Sequence, residues 1–98
     1  MTLQDIIVDI HALTEDGEVY ENKYGILSDT FYAIYSDGVE PEDDAWVLDW
    51  SDWAGVYQLL LRRRAQYART IQALQDQSIP MINVVGRTAR REPIQVPS

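Results

Sequence analysis

Residues 46–77, WVLDWSDWAGVYQLLLRRRAQYARTIQALQDQ, decide the fold. Trp53, Tyr57, Leu60, Arg64, Tyr67, Ile71 and Leu74 recur at alternating steps of four and three. That spacing keeps one stripe of side chains along a single side of a long helix. No proline interrupts it before Pro80. Ser51 offers a side-chain oxygen to the free N–H groups of a first turn, and Asp52 places negative charge at the positive end of the helix dipole, so the helix is expected to begin at Asp52. Successive residues on a helix point about 100° apart. Arg62 and Arg63 are therefore expected to reach solvent or the acidic loop, with the stem of Arg64 buried in the stripe. Trp46, Trp50 and Trp53, spaced by four and three, share a face if the helix starts earlier. Aromatics at that spacing usually build a core, yet tryptophan and tyrosine also concentrate at protein interfaces.

Working outward, the segment Thr2 to Tyr24 admits two readings. Asp16 and Gly17 resemble the turn of a β-hairpin between Ile6–Leu13 and Glu18–Tyr24. Against this, Leu3, Ile6, Ile10, Leu13, Gly17, Tyr20 and Tyr24 follow steps of three and four straight through the supposed turn, while alternation fails at Ile6, Ile7 and Val8. The helical period prevails. Thr2 and Asp5 form a capping-box-like start, and Gly25 is a left-handed stop. The stripes of the two helices have mirror-image spacing and can be laid antiparallel. Leu3 then meets Leu74, Ile6 meets Ile71, Ile10 meets Tyr67, Leu13 meets Arg64, Gly17 meets Leu60, Tyr20 meets Tyr57 and Tyr24 meets Trp53.

Between them, Ile26 to Gly38 reads as a short helix capped by Ser28, with Phe31, Ile34 and Tyr35 as its apolar face and Gly38 as its end. Val39 to Asp44 is an acidic loop. After Gln77, Pro80 stops the long helix. Met81 to Val85 is β-prone, and Gly86 to Ser98 holds three arginines and two prolines without helical period. The sequence thus predicts an all-α fold: an antiparallel helical hairpin, residues 1–78, with a short intervening helix and an extended C-terminal arm, residues 79–98. The alternative is an α+β fold with an N-terminal β-hairpin.

Ninety-eight residues suit one small core. The absence of cysteine removes disulfides, thiolate metal sites and cysteine nucleophiles, and fits a cytoplasmic setting. Apolar runs are far short of the roughly 20 residues of a membrane span, so no membrane partner is expected. The net charge of −8 is divided unevenly. Residues 1–53 carry 14 acidic groups and one cation, Lys23, whereas residues 54–98 carry seven arginines against Asp76 and Glu92. An acidic front disfavours direct nucleic-acid binding and suits a basic protein partner, although acidic surfaces also serve solubility alone. The opposed halves allow pairing between copies.

Chemistry-bearing motifs are sparse. His11 is the sole histidine, lies off the stripe, and has no second histidine for a common zinc set. Glu40, Glu42, Asp43 and Asp44 lack the glycine and terminal glutamate of a calcium loop. No phosphate loop or nucleophile elbow occurs. The sequence therefore predicts no catalysis, metal or cofactor.

The succession KYGILSDTFYAIY (residues 23–35), an acidic loop and DWSDWAGVYQLLLRR (residues 49–63) resembles small bacterial helical proteins that look like antitoxin members of toxin and antitoxin pairs. The resemblance spans Tyr24 to Arg64 and rests on Tyr24, Gly25, Ser28, Phe31, Tyr32, Asp49, Trp53, Ala54 and Tyr57; the segment after Pro80 is outside it. It implies binding of a cognate toxin, commonly a basic ribonuclease. The expected function is a non-catalytic interaction module of antitoxin type. The alternative is a phage-associated protein, either an acidic inhibitor of a host nucleic-acid machine or a small virion component. Partner contacts are expected from Glu40, Glu42, Asp43 and Asp44; from Trp46 and Trp50; from Arg62 and Arg63; and from Met81, Ile82, Val84, Arg87, Arg90 and Arg91 of the arm.

Overall fold

The structure, a computed structural model, describes residues 1–97. Four helices follow one another: α1 (Leu3–Tyr24), α2 (Ser28–Ser36), α3 (Val47–Asp76), preceded by a 3-10 turn at Asp44–Trp46, and α4 (Met81–Ala89). The fold is all-α, and α1 and α3 form the antiparallel helical hairpin. No strand occurs among the described residues beyond a single antiparallel bridge between Thr2 and Gln95.

The start of α1 follows from its first residues. The Thr2 N–H donates to the Asp5 carboxylate at 2.9 Å, and the Asp5 N–H donates to the Thr2 hydroxyl oxygen at 3.3 Å, closing the reciprocal box. The helix stops where Gly25 adopts φ 79°, a region that L side chains avoid.

The start of α3 differs from expectation. It begins at Val47 rather than Asp52, because the Asp43 side chain accepts from the Ala45 N–H at 2.9 Å and nucleates the preceding 3-10 turn. Ser51 is thereby left inside the helix. The cap of α2 also differs. Ser28 is its first residue and makes no local cap; instead Glu21 of α1 accepts from the Ser28 N–H at 2.7 Å and from its hydroxyl at 2.8 Å.

The C-terminal segment is not an extended arm over its whole length. Pro80, with φ −60°, precedes the first turn of α4, where a missing N–H costs nothing. Met81, Val84 and Thr88 then recur at three and four, a period short enough to be hidden by the β-prone residues around it. Beyond the helix, residues 92–96 do run extended. The Leu3 N–H donates to the Ile94 carbonyl at 2.7 Å and the Val96 N–H to that of Met1 at 3.2 Å. Ser98, the last residue of the expected arm, lies outside the described residues.

The chain divides into two compact units, to each of which α1 and α3 contribute one stretch. The terminal unit comprises Met1–Ile10 and residues 62–97. Its core is Leu3, Leu74, Val84 and Ile94, with Ile7, Ile71, Ile79 and Met81 packed against them. Here the beginning of α1 lies beside the end of α3. At the start of this stretch of α3 the inward residues are Arg63 and Gln66, each one residue earlier than the expected Arg64 and Tyr67; further on Thr70 is buried beside the expected Ile71, and Leu74 is buried as expected. Arg64 is exposed because Arg63 takes the inward place: its Nε donates to Asp9 at 2.8 Å and another guanidinium N–H donates to the Gln66 side-chain oxygen at 3.0 Å.

The central unit, His11–Leu61, is built on aromatic stacking. Trp53 is 0 % exposed and stacks on Phe31 at 3.8 Å between ring centroids, on Tyr24 at 5.7 Å and on Tyr20 at 5.8 Å. The expected Tyr24–Trp53 match holds. Tyr57, assigned to Tyr20, instead packs on Tyr32 of α2 at 5.1 Å, since Tyr20 is occupied by Trp53. The Trp53 indole N–H donates to the Ser28 hydroxyl oxygen at 2.9 Å. Gly17 belongs beside this hydrogen bond, for a Cβ there would meet the Ser28 Oγ at 3.3 Å.

Candidate protein-binding face

Charge segregation follows the units. The central unit holds twelve of the sixteen carboxylates and one cation, Lys23, while all seven arginines and four carboxylates fall in the terminal unit. The partition is less steep than the division between the two halves of the sequence, because Asp5 and Asp9 at the start of α1 join the arginines in the terminal unit.

In the central unit an open cleft of about 450 Å³ is lined by Asp16, Val19, Tyr20 and Lys23 of α1 and by Asp49 and Val56 of α3. Steps of three and four put Asp16, Val19, Tyr20 and Lys23 on neighbouring turns of one side of α1. Asp49 organises one end. It accepts from Lys23 Nζ at 2.5 Å and from the Tyr24 hydroxyl at 2.7 Å. The hydrogen bond from Lys23 and then that from Tyr24 hold its carboxyl below the usual carboxylate range, and the same bond raises the Lys23 ammonium. Tyr20 reports the local field: its phenol is pushed up first by burial and then by the negative charges of Asp52, Asp49 and Asp16. The Tyr24 phenol is likewise raised by burial, reinforced by its hydrogen bond to Asp49. A negative, partly apolar cleft beside an aromatic ring suits the stem and charged head of a lysine or arginine.

Expected partner-binding residues fall into three groups. Glu40, Glu42, Asp43 and Asp44 are exposed, with Asp43 also serving as the 3-10 cap. Trp46 and Trp50 are half-buried and belong mainly to the aromatic core, Trp46 edge-on to Tyr24 at 5.9 Å and Trp50 edge-on to Phe31 at 5.5 Å. The Trp50 indole N–H is buried without a partner among the described residues. In the terminal unit, Arg62 is exposed and Arg63 is engaged with Asp9. Val84, 6 % exposed, is a core residue and not an available contact, while Met81 is half-buried against the same core. Ile82 is exposed. Arg87 and Arg90 both pair with Glu92, at 3.7 and 2.9 Å, and Arg91 is exposed. His11 is exposed on α1.

Sequence reasoning missed the cleft residues Asp16, Val19, Tyr20, Lys23, Asp49 and Val56 as a group. The signal lay in the antiparallel register: once Tyr24 is placed on Trp53, Lys23 and Asp49 fall on the same flank of the hairpin.

The nine residues carrying the resemblance all lie in the central unit. Trp53, Phe31 and Ala54 are its core, Tyr24 and Tyr32 pack on them, Ser28 holds the Trp53 indole, and Asp49 holds Tyr24. Comparison with family models, with curated proteins and with solved structures finds no match.

Proposed function

We propose that this chain is a non-catalytic protein-interaction module whose acidic central unit engages a basic protein, as an antitoxin does in neutralising a toxin nuclease in the bacterial cytoplasm. The observation that carries this reading is the concentration of twelve carboxylates against one lysine in a unit whose cleft presents Asp16 and Asp49 beside Tyr20. Such a field steers a basic partner and fixes its orientation. No helix among the described residues is long and apolar enough to cross a membrane.

The test is capture of the partner from the native host with the intact chain as bait, identification by mass spectrometry, and calorimetric titration of the purified pair. Replacing Glu40, Glu42 and Asp44 by lysine, together with Asp16→Lys, is expected to weaken binding by about tenfold or more at low salt, since attraction is replaced by like-charge repulsion. An acidic partner, or affinity untouched by these reversals, overturns the reading. A neighbouring toxin gene supports the antitoxin role; neighbouring structural phage genes support the phage-associated one.

A further inference from the structure

Helix α4 carries more apolar surface than its own unit covers. Val84 is buried and Met81 and Thr88 are half-buried, which accounts for one side. Ile82 and Val85, three residues apart and hence neighbours on another side, are 75 % and 59 % exposed. Arg90 and Arg91 follow them. Arg90 is tied to Glu92, while Arg91 is exposed with no ion-pair partner among the described residues.

A second patch lies in the central unit at the start of α3. Leu48 is 77 % exposed and Val47 49 %. One helical turn to either side of Leu48 stand Asp44 and Asp52, both exposed. The first aliphatic pair is thus followed by a net positive group, Arg87, Arg90 and Arg91 against Glu92, and the second is flanked by aspartates.

We propose that these two patches bind each other between two copies of this chain, the Ile82–Val85 face of one copy docking on the Val47–Leu48 face of the next. Charge selects this occupant. Two α4 segments set together oppose the net positive charge at the end of α4 to itself, and two Leu48 faces bring aspartates together, whereas the mixed pairing sets that net positive end, with Arg91 free of an ion pair among the described residues, against Asp44 and Asp52. The aliphatic pairs supply the contact, and the charges supply its direction. The contact is heterologous, so every bound copy keeps one face of each kind free and growth continues until a ring closes. This self-association goes beyond the proposed function and shares only Asp44 with the acidic surface assigned to the basic partner.

Sedimentation velocity of the purified full chain tests it. The wild type is expected to show a mass that rises with concentration and falls with added salt. Ile82→Asp and Leu48→Asp change exposed residues; each variant alone is expected to be a monomer with unchanged far-ultraviolet circular dichroism. Mixed in equal amounts they are expected to form a one-to-one dimer and nothing larger, because each retains one intact face and the pair has no further complementary faces. A wild type that is monomeric at all concentrations overturns the proposal. So does a Leu48→Asp variant that associates as well as the wild type, or a mixture that remains monomeric.

Discussion

Ser28 shows how much one residue carries. Its hydroxyl donates to Glu21 and accepts from the Trp53 indole, and its N–H is capped by the same Glu21 carboxylate. Ser28→Ala leaves the fully buried indole N–H without an acceptor, so equilibrium denaturation is expected to show a loss of about 2 kcal/mol, the cost of stranding a buried donor. Gly17 is coupled to the same place. Alanine there gains about 1 kcal/mol in helix propensity, but its methyl meets a Ser28 Oγ at 3.3 Å that two hydrogen bonds prevent from moving. Gly17→Ala is expected to fail to stabilise the protein, and Gly17→Ala in a Ser28→Ala background to recover the propensity gain; thermal melts of the two pairs check this. The phenol of Tyr20 sets a pH dependence. Its folded pKa is raised, so the neutral form stabilises the fold below the ordinary tyrosine value and that contribution is lost as pH climbs above about 10. Tyr20→Phe, which keeps the ring against Trp53, is expected to flatten the alkaline limb of the stability profile while leaving the neutral plateau in place.

Among the elements, α4 is the informative one. Val84 packs with Leu3, Leu74 and Ile94, and Val84→Ala is expected to cost about 2 kcal/mol in chemical denaturation, the loss of buried methyl groups plus an imperfectly filled space. Ile82→Ala on the exposed side of the same helix is expected to change stability by less than about 0.5 kcal/mol. How legible each helix was in the sequence tracks its length and its punctuation. The whole of α1 could be read, since seven apolar or small positions kept their period over 22 residues and both ends carried recognisable caps. The end of α3 was equally plain. Its beginning was not, because Asp43 acts through a 3-10 turn and Ser51 imitates a cap without being one. Its middle register slipped by one residue where Arg63 and Arg64 compete for the same inward place; only the location of Asp9 on α1 decides between them. With nine residues, α4 presents two and a half turns, too few for periodicity to outweigh β-branched composition. The cleft was missed for another reason: its lining comes from two helices, neither contributes a motif alone, and only the register of one helix on the other brings the residues together.

For the molecule as a whole, the governing fact is that charge and packing divide along the same line. The central unit is acidic and aromatic, and the terminal unit holds every arginine and an aliphatic core. The rate of association with a basic protein is expected to fall steeply as ionic strength rises, with the dissociation rate much less affected; stopped-flow measurements over a salt series check this. The division by charge was visible in the sequence, but its boundary was drawn between the two halves of the chain. The first ten residues and the last third in fact belong together, because Leu3 bonds to Ile94 and packs on Leu74.

The same division makes the protein its own pair of optical probes. Trp46, Trp50 and Trp53 all belong to the central unit, and Tyr67 is the one aromatic residue of the terminal unit. Tryptophan emission therefore watches one unit and is blind to the other, whereas the amide ellipticity sums over the helices of both. Melting curves recorded by the two signals on one sample coincide when the units unfold together and separate when they do not, so the cooperativity of this chain can be read without a label.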